Sequence, residues 1–232
     1  MSSSGHVALL PHLLGWEKPG KTFEVAVHAG STPALLLALR GERLLDPKLV
    51  LTLAPAALAG LAFERPVEER LGGPRSVAVA QILAGAALLA ADRRDERRRA
   101  PSAADHLAVG AAQAVALVPG VSRYGAALTA ARLRELSRGA SAALALRAAV
   151  PVTAGAGALK GARLVREGIE PGLRAPLAAG AAAALATSLA ALPLARGTRW
   201  RAIAAYRMAL GAAALYRQAD KRRKLGVSRM AD

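Results

Sequence analysis

Charge is blocked along this chain in a way that few folds tolerate: windows without a single Asp, Glu, Lys or Arg cover residues 25–39, 49–63, 76–91, 106–122 and 175–195, and charged clusters separate them. A helix on a soluble domain needs a polar residue at every third or fourth position along its wet face, and these windows lack that stripe. Four of them hold 15–17 residues, at or just under the length of a bilayer crossing, and 175–195 holds 21 and clears it. Repeated five times along the chain, the pattern predicts an all-α, polytopic integral membrane protein.

The net charge of +16 offers a competing explanation, a soluble basic protein that binds nucleic acid. The basic residues sit between apolar windows and not along one face, and aromatics, at 3%, are too few for base stacking, so no nucleic-acid partner is expected. Hydrophobic residues make up 53% and alanine alone accounts for 59 of 232, a composition suited to closely packed helices. With no cysteine, disulfide frameworks, thiolate nucleophiles and iron–sulfur clusters are excluded. The first sixteen residues lack a basic start and contain Pro11, so no cleavable signal peptide is read there. The densest basic cluster, Arg93, Arg94, Arg97, Arg98 and Arg99, points that connection to the cytoplasm. A second, Lys221 to Lys224, reads as a solvated tail.

The chain reads as one membrane domain with a weak internal repeat: residues 1–105, incomplete at the N-terminus, then 106–217, then a basic tail at 218–232. Each half opens on a Gly/Ser segment, 2–6 and 119–125. Non-helical backbone at membrane depth is tolerated only where protein or a wet cavity surrounds it, so inverted repeats carrying two re-entrant helix-loop-helix segments are expected, with a site between them.

Two residue sets carry the chemistry. In the second segment Pro119-Gly120 breaks the helix just before Ser122-Arg123-Tyr124-Gly125. Arginine at membrane depth is costly and marks function, and its fork matches phosphate oxygens, so loop amides and Arg123 read as a phosphate cradle. In the first, Ser2 to Gly5 and His6 supply hydroxyls and an imidazole suited to phosphate binding and proton transfer. His12, His28 and His106 have no spacing that completes a metal cage with His6. Gly155 to Gly161 imitates a dinucleotide fingerprint but is better explained by small-residue helix packing.

SSSGHVALLPHLLGW with TFEVAVHAGSTPALLLALR, then QAVALVPGVSRYGAALTA with AAVPVTAGAGALKG, resemble the two motif regions of the undecaprenyl-diphosphate phosphatases, membrane enzymes associated with bacitracin resistance; AAYRMALGAAAL resembles that family's last span. The resemblance implies hydrolysis of undecaprenyl diphosphate to the monophosphate and inorganic phosphate, which recycles the lipid carrier for peptidoglycan synthesis. It also implies catalytic roles for His6, Arg123 and Ser3, and phosphate contacts from Ser4, Gly5, Gly120, Ser122, Arg123 and Gly125. Glu24 falls where the family has an acidic residue beside phenylalanine. A divalent cation, Mg or Ca, is expected, with ligands that this chain does not identify; the polyprenyl diphosphate, membrane lipids and a second copy of the chain are the expected partners. Three departures stand out. The family carries a glutamate-bearing helix ahead of its serine segment, and this chain begins at Met1 inside that motif, so the natural product is expected to start roughly 20 residues, about one helix, upstream. The family's serine after the arginine is Tyr124 here, and its later threonine is Ala127. Those departures keep an alternative open, a non-catalytic relative that binds or moves polyprenyl phosphates.

Overall fold

A computed structural model describes residues 3–42, 46–98, 100–196 and 199–228. Among them lie nine α-helices: α1 (Ser3–Leu14), α2 (Lys21–Ala38), α3 (Leu49–Leu71), α4 (Pro74–Ala91), α5 (Ala103–Val115), α6 (Arg123–Leu133), α7 (Arg138–Glu167), α8 (Arg174–Arg196) and α9 (Trp200–Ser228). A 3-10 turn at Pro171–Leu173 leads into α8, and the described residues contain no strand, only a single bridge between Arg98 and Leu136. Ser2, Arg99 and the side chains of Arg222 and Lys224 lie outside what is described.

Four segments are long and apolar enough to cross a bilayer: Leu49–Leu71, Pro74–Asp92, Arg138–Glu167 and Pro171–Pro193. Three coincide with charge-free windows. The other two windows do not give such spans: α2 falls short, and 106–122 breaks up, since α5 ends at Val115 and turns occupy 116–119 before α6 starts. Conversely, α7 is a candidate span that no window flagged, because Arg147 and Lys160 interrupt it. Both cations have partners on neighbouring segments, Glu42 at 3.8 Å from Arg147 and Glu64 at 2.5 Å from Lys160. A paired charge costs far less in an apolar setting than an isolated one, which is why a window without charges undercounts spans. The first Gly/Ser segment also differs from expectation: Ser3, Ser4, Gly5 and His6 form the first turns of α1 and not a loop.

Alanine and glycine let the helices meet at backbone distance. α4 packs along α9 and α2 along α8. A Cβ on Gly211 of α9 would stand 2.6 Å from the Ala78 carbonyl of α4, and one on Gly30 would strike the backbone of Ala181 in α8. The main core gathers around α6 and α7, with Leu128, Leu136, Leu144 and Trp200 closed off together with Leu88 of α4. A second cluster joins α1 to α4 and α9 through Leu9, Val77, Ala78, Leu210 and Ala214. On the outside, α3 presents Leu58, Leu61 and Phe63. That is the surface expected of a helix solvated by lipid tails.

Candidate functional site

α6 starts where the Pro119-Gly120 break ends. Ser122 is its N-cap, extended in backbone, with its Oγ accepting from the Gly125 N–H at 3.1 Å. The first N–H groups of any helix lack intrahelical acceptors and carry the positive end of the dipole, which makes this end attractive to an anion. Arg123 is the first residue of that turn and is half-buried. Among the described residues it makes no hydrogen bond and no ion pair; the charge that bears on it is Glu64, itself held by Lys160.

Gly120 has φ +98, a left-handed conformation that a side chain strains, and a Cβ there would stand 2.6 Å from the Val77 carbonyl. Its own carbonyl accepts from NH2 of Arg207 at 2.9 Å, while Arg207 Nε donates to Gln81 Oε1 at 2.8 Å. Arg207, on α9, is 1% exposed and has no carboxylate partner among the described residues. Its NH1 lies 2.8 Å from where a Cβ on Gly125 would stand, so both glycines of the segment are required by close approach. One arginine thus begins this helix and another, buried outright, touches the segment at its N-terminus.

The α1 residues divide between two neighbours. Ser3 Oγ lies 3.4 Å from His28 Nδ1 on α2, a long contact. One turn on, His6 Nε2 shares a 2.8 Å hydrogen bond with the Tyr206 hydroxyl of α9, and the rings stack with centroids 5.7 Å apart. His28 lies one turn after Glu24 on α2. Gly5 is buried within α1 and Ser4 is half-buried beside it. Tyr124 packs in the core with Ala38, Leu146 and Val150, and Ala127 is wholly buried in the main cluster.

Sequence reasoning picked out Ser3, Ser4, Gly5, His6, Glu24, Gly120, Ser122, Arg123 and Gly125 and gave no role to His28, Gln81, Tyr206 and Arg207, which the structure bonds to Ser3, Arg207, His6 and Gly120 respectively. Arg207 carried a readable signal, an arginine inside the apolar run AAYRMALGAAAL. Gln81 and His28 carried none, since each gains meaning only from a partner far along the chain.

A divalent cation needs several oxygen ligands, fewer when substrate phosphates supply some. Among the described residues no three His, Asp or Glu side chains converge, and Glu64 is engaged by Lys160. Glu24 alone does not make a cation cage, so the described residues do not fit a resident metal.

Compared with known proteins, the chain matches, over residues 1–213, the family described as bacitracin resistance protein BacA. It is 36% identical over 206 residues to the undecaprenyl-diphosphatase of Trichlorobacter lovleyi, covering 78% of this chain and 76% of that protein. It is likewise 36% identical over 206 residues to the undecaprenyl-diphosphatase of Geobacter sulfurreducens, covering 78% and 77%. With the undecaprenyl-diphosphatase of Pelobacter propionicus it shares 37% over 205 residues, covering 78% and 75%.

Proposed function

The chain belongs to the bacitracin resistance protein BacA family, and from that premise we propose that it hydrolyses undecaprenyl diphosphate to the monophosphate and inorganic phosphate. It is a multi-pass membrane hydrolase acting on a phosphorus-containing anhydride, with a lipid substrate that reaches the site from the bilayer. One observation carries the chemistry: Arg123 stands at the start of α6, just after the Gly120 bend that the buried Arg207 holds, and makes no hydrogen bond or ion pair among the described residues. Two cations and a helix N-terminus, with no carboxylate paired to either guanidinium, leave a positive site that a diphosphate neutralises.

Phosphoryl transfer asks mainly for positioning and charge neutralisation. In this proposal Arg123 holds the terminal phosphoryl oxygens bidentately, as charge builds on them in the transition state. Ser122, whose oxygen already accepts from Gly125, has its O–H proton to donate. Gly120 and Gly125 leave room for Val77 and Arg207 and so shape the segment that meets the anion, the Gly125 N–H being donated to Ser122. Ser3 and Ser4 supply hydroxyls from α1, and His6 acts as nucleophile or proton carrier. Glu24, one turn before His28, serves as an acidic helper. No step is assigned to a metal.

The test is phosphate release from undecaprenyl diphosphate by the detergent-solubilised chain and by Arg123→Ala. Release by the parent chain and loss in the variant support the proposal; tight binding of the lipid without hydrolysis would favour the non-catalytic alternative, which nothing in the site favours now.

A further inference from the structure

We propose that α9 positions both halves of this site through two consecutive residues, Tyr206 holding the ring of His6 and Arg207 holding the Gly120 carbonyl. The proposal deepens the phosphatase reading and rests on its assignment of His6 and Arg123. Neighbouring residues on a helix point about 100° apart, so one backbone position can address two different elements. Here Tyr206 reaches α1, and Arg207 reaches α4 through Gln81 and the segment ahead of α6 through Gly120. α1 and that segment therefore take their relative placement from a common rigid rod.

The two contacts act differently. The hydroxyl of Tyr206 occupies Nε2 of His6, and the near-parallel stack, with 16° between the rings, restricts rotation of the imidazole. Arg207 binds a carbonyl in a peptide whose φ of +98 is intrinsically unfavourable for most residues, and so holds the one bend that aims the α6 N-terminus and Arg123. Burying a guanidinium against two neutral acceptors, with no carboxylate, is a costly way to fix a bend. The same choice leaves its positive charge unneutralised beneath the phosphate. Tyr206 and Arg207 are positioning residues in this scheme: each acts through a group that meets the substrate.

Turnover and KM for undecaprenyl diphosphate, together with the His6 ring-nitrogen NMR signals of chain labelled with 15N-histidine, test the proposal on Tyr206→Phe and Arg207→Lys. Phe keeps the stack and removes only the hydroxyl at a partly exposed position, so it folds. The expected result is a roughly tenfold lower kcat with KM nearly unchanged and shifted His6 ring signals. Lys keeps the charge and loses the two-acceptor fork; kcat is expected to fall about 100-fold, with the His6 signals unmoved. Parent-level kcat and unmoved His6 signals in Tyr206→Phe, while His6→Ala and Arg123→Ala are inactive, overturn the proposal. Full activity of His6→Ala overturns instead the assignment on which it rests.

Discussion

Two groups of arginines show opposite ways of holding a guanidinium in this molecule. Beyond the end of α4, Asp105 accepts from both terminal nitrogens of Arg98 at 2.8 and 2.9 Å, from Arg134 Nε at 2.7 Å, and from the backbone and hydroxyl of Ser102 at 2.8 Å each. Asp92, nearby in sequence, receives Arg138 at 2.9 Å and Arg201 at 3.3 Å. These carboxylates are buried, and each gathers two cations and locks the connection 92–102 onto the α6–α7 turn. In the site, Arg123 and Arg207 form no ion pair with a carboxylate among the described residues, although the charge of Glu64 bears on Arg123. Arg98, Arg134, Arg138 and Arg201 hold structure through carboxylates and the buried Arg132 does so through the Leu136 and Arg94 carbonyls, whereas Arg123 at the α6 N-terminus retains a field that an anion can satisfy.

The contrast predicts a split between activity and stability. Arg123→Ala should lower phosphate release by about 10²–10³-fold, the cost of losing one preorganised contact to developing charge, while leaving the denaturation midpoint in detergent unchanged. Asp105→Ala should do the reverse. It strands Arg98 and Arg134 and removes the capping partner of Ser102, so a loss of about 3 kcal/mol is expected, tempered because both guanidinium groups reach water. A denaturant titration reads it, and turnover per folded molecule should persist. If Arg123→Ala destabilised the chain as much as Asp105→Ala, the distinction between the two groups would fail. Gly120→Ala should cost about 1–3 kcal/mol from the left-handed backbone, with a further penalty from contact with the Val77 carbonyl, and reduce turnover by turning the α6 N-terminus.

Acid provides the gentlest test. Burial by itself would push the Asp105 carboxyl up, but hydrogen bonds from Arg98, the Ser102 backbone, Arg134 and the Ser102 hydroxyl outweigh it and hold the group well below its ordinary value of 3.8. A carboxyl depressed in the folded state contributes its stability above the unfolded value and loses it as pH falls towards the folded one. Stability from this cluster should therefore be flat from neutrality down to about pH 4 and decline below it. Asp105→Asn should flatten that acid limb, as followed by denaturation midpoint against pH.

Much of the architecture was legible because helix periodicity and charge content are local properties. The windows at 49–63, 76–91 and 175–195 became α3, α4 and α8, and Pro119-Gly120 marked a helix break, after which α6 starts with Ser122 as its N-cap. Where the local rule failed, the reason was a distant partner. α7 looked interrupted until Arg147 and Lys160 met Glu42 and Glu64, whereas the break read at Pro119-Gly120 is present, with the backbone already turning from 116.

The sequence by itself determined that this is an all-helical membrane chain with a phosphate-suited segment around Arg123 and a serine–histidine segment at its start. Only the tertiary structure decided that His6 turns to Tyr206 and Ser3 to His28, that Tyr124 goes to the core, and that Arg207 braces Gly120. The physical reason is range. A helix and its caps are set within a few residues, whereas the bonds joining His6 to Tyr206 and Arg207 to Gln81 span 200 and 126 positions, and exist only because glycine and alanine bring α1, α4 and α9 together.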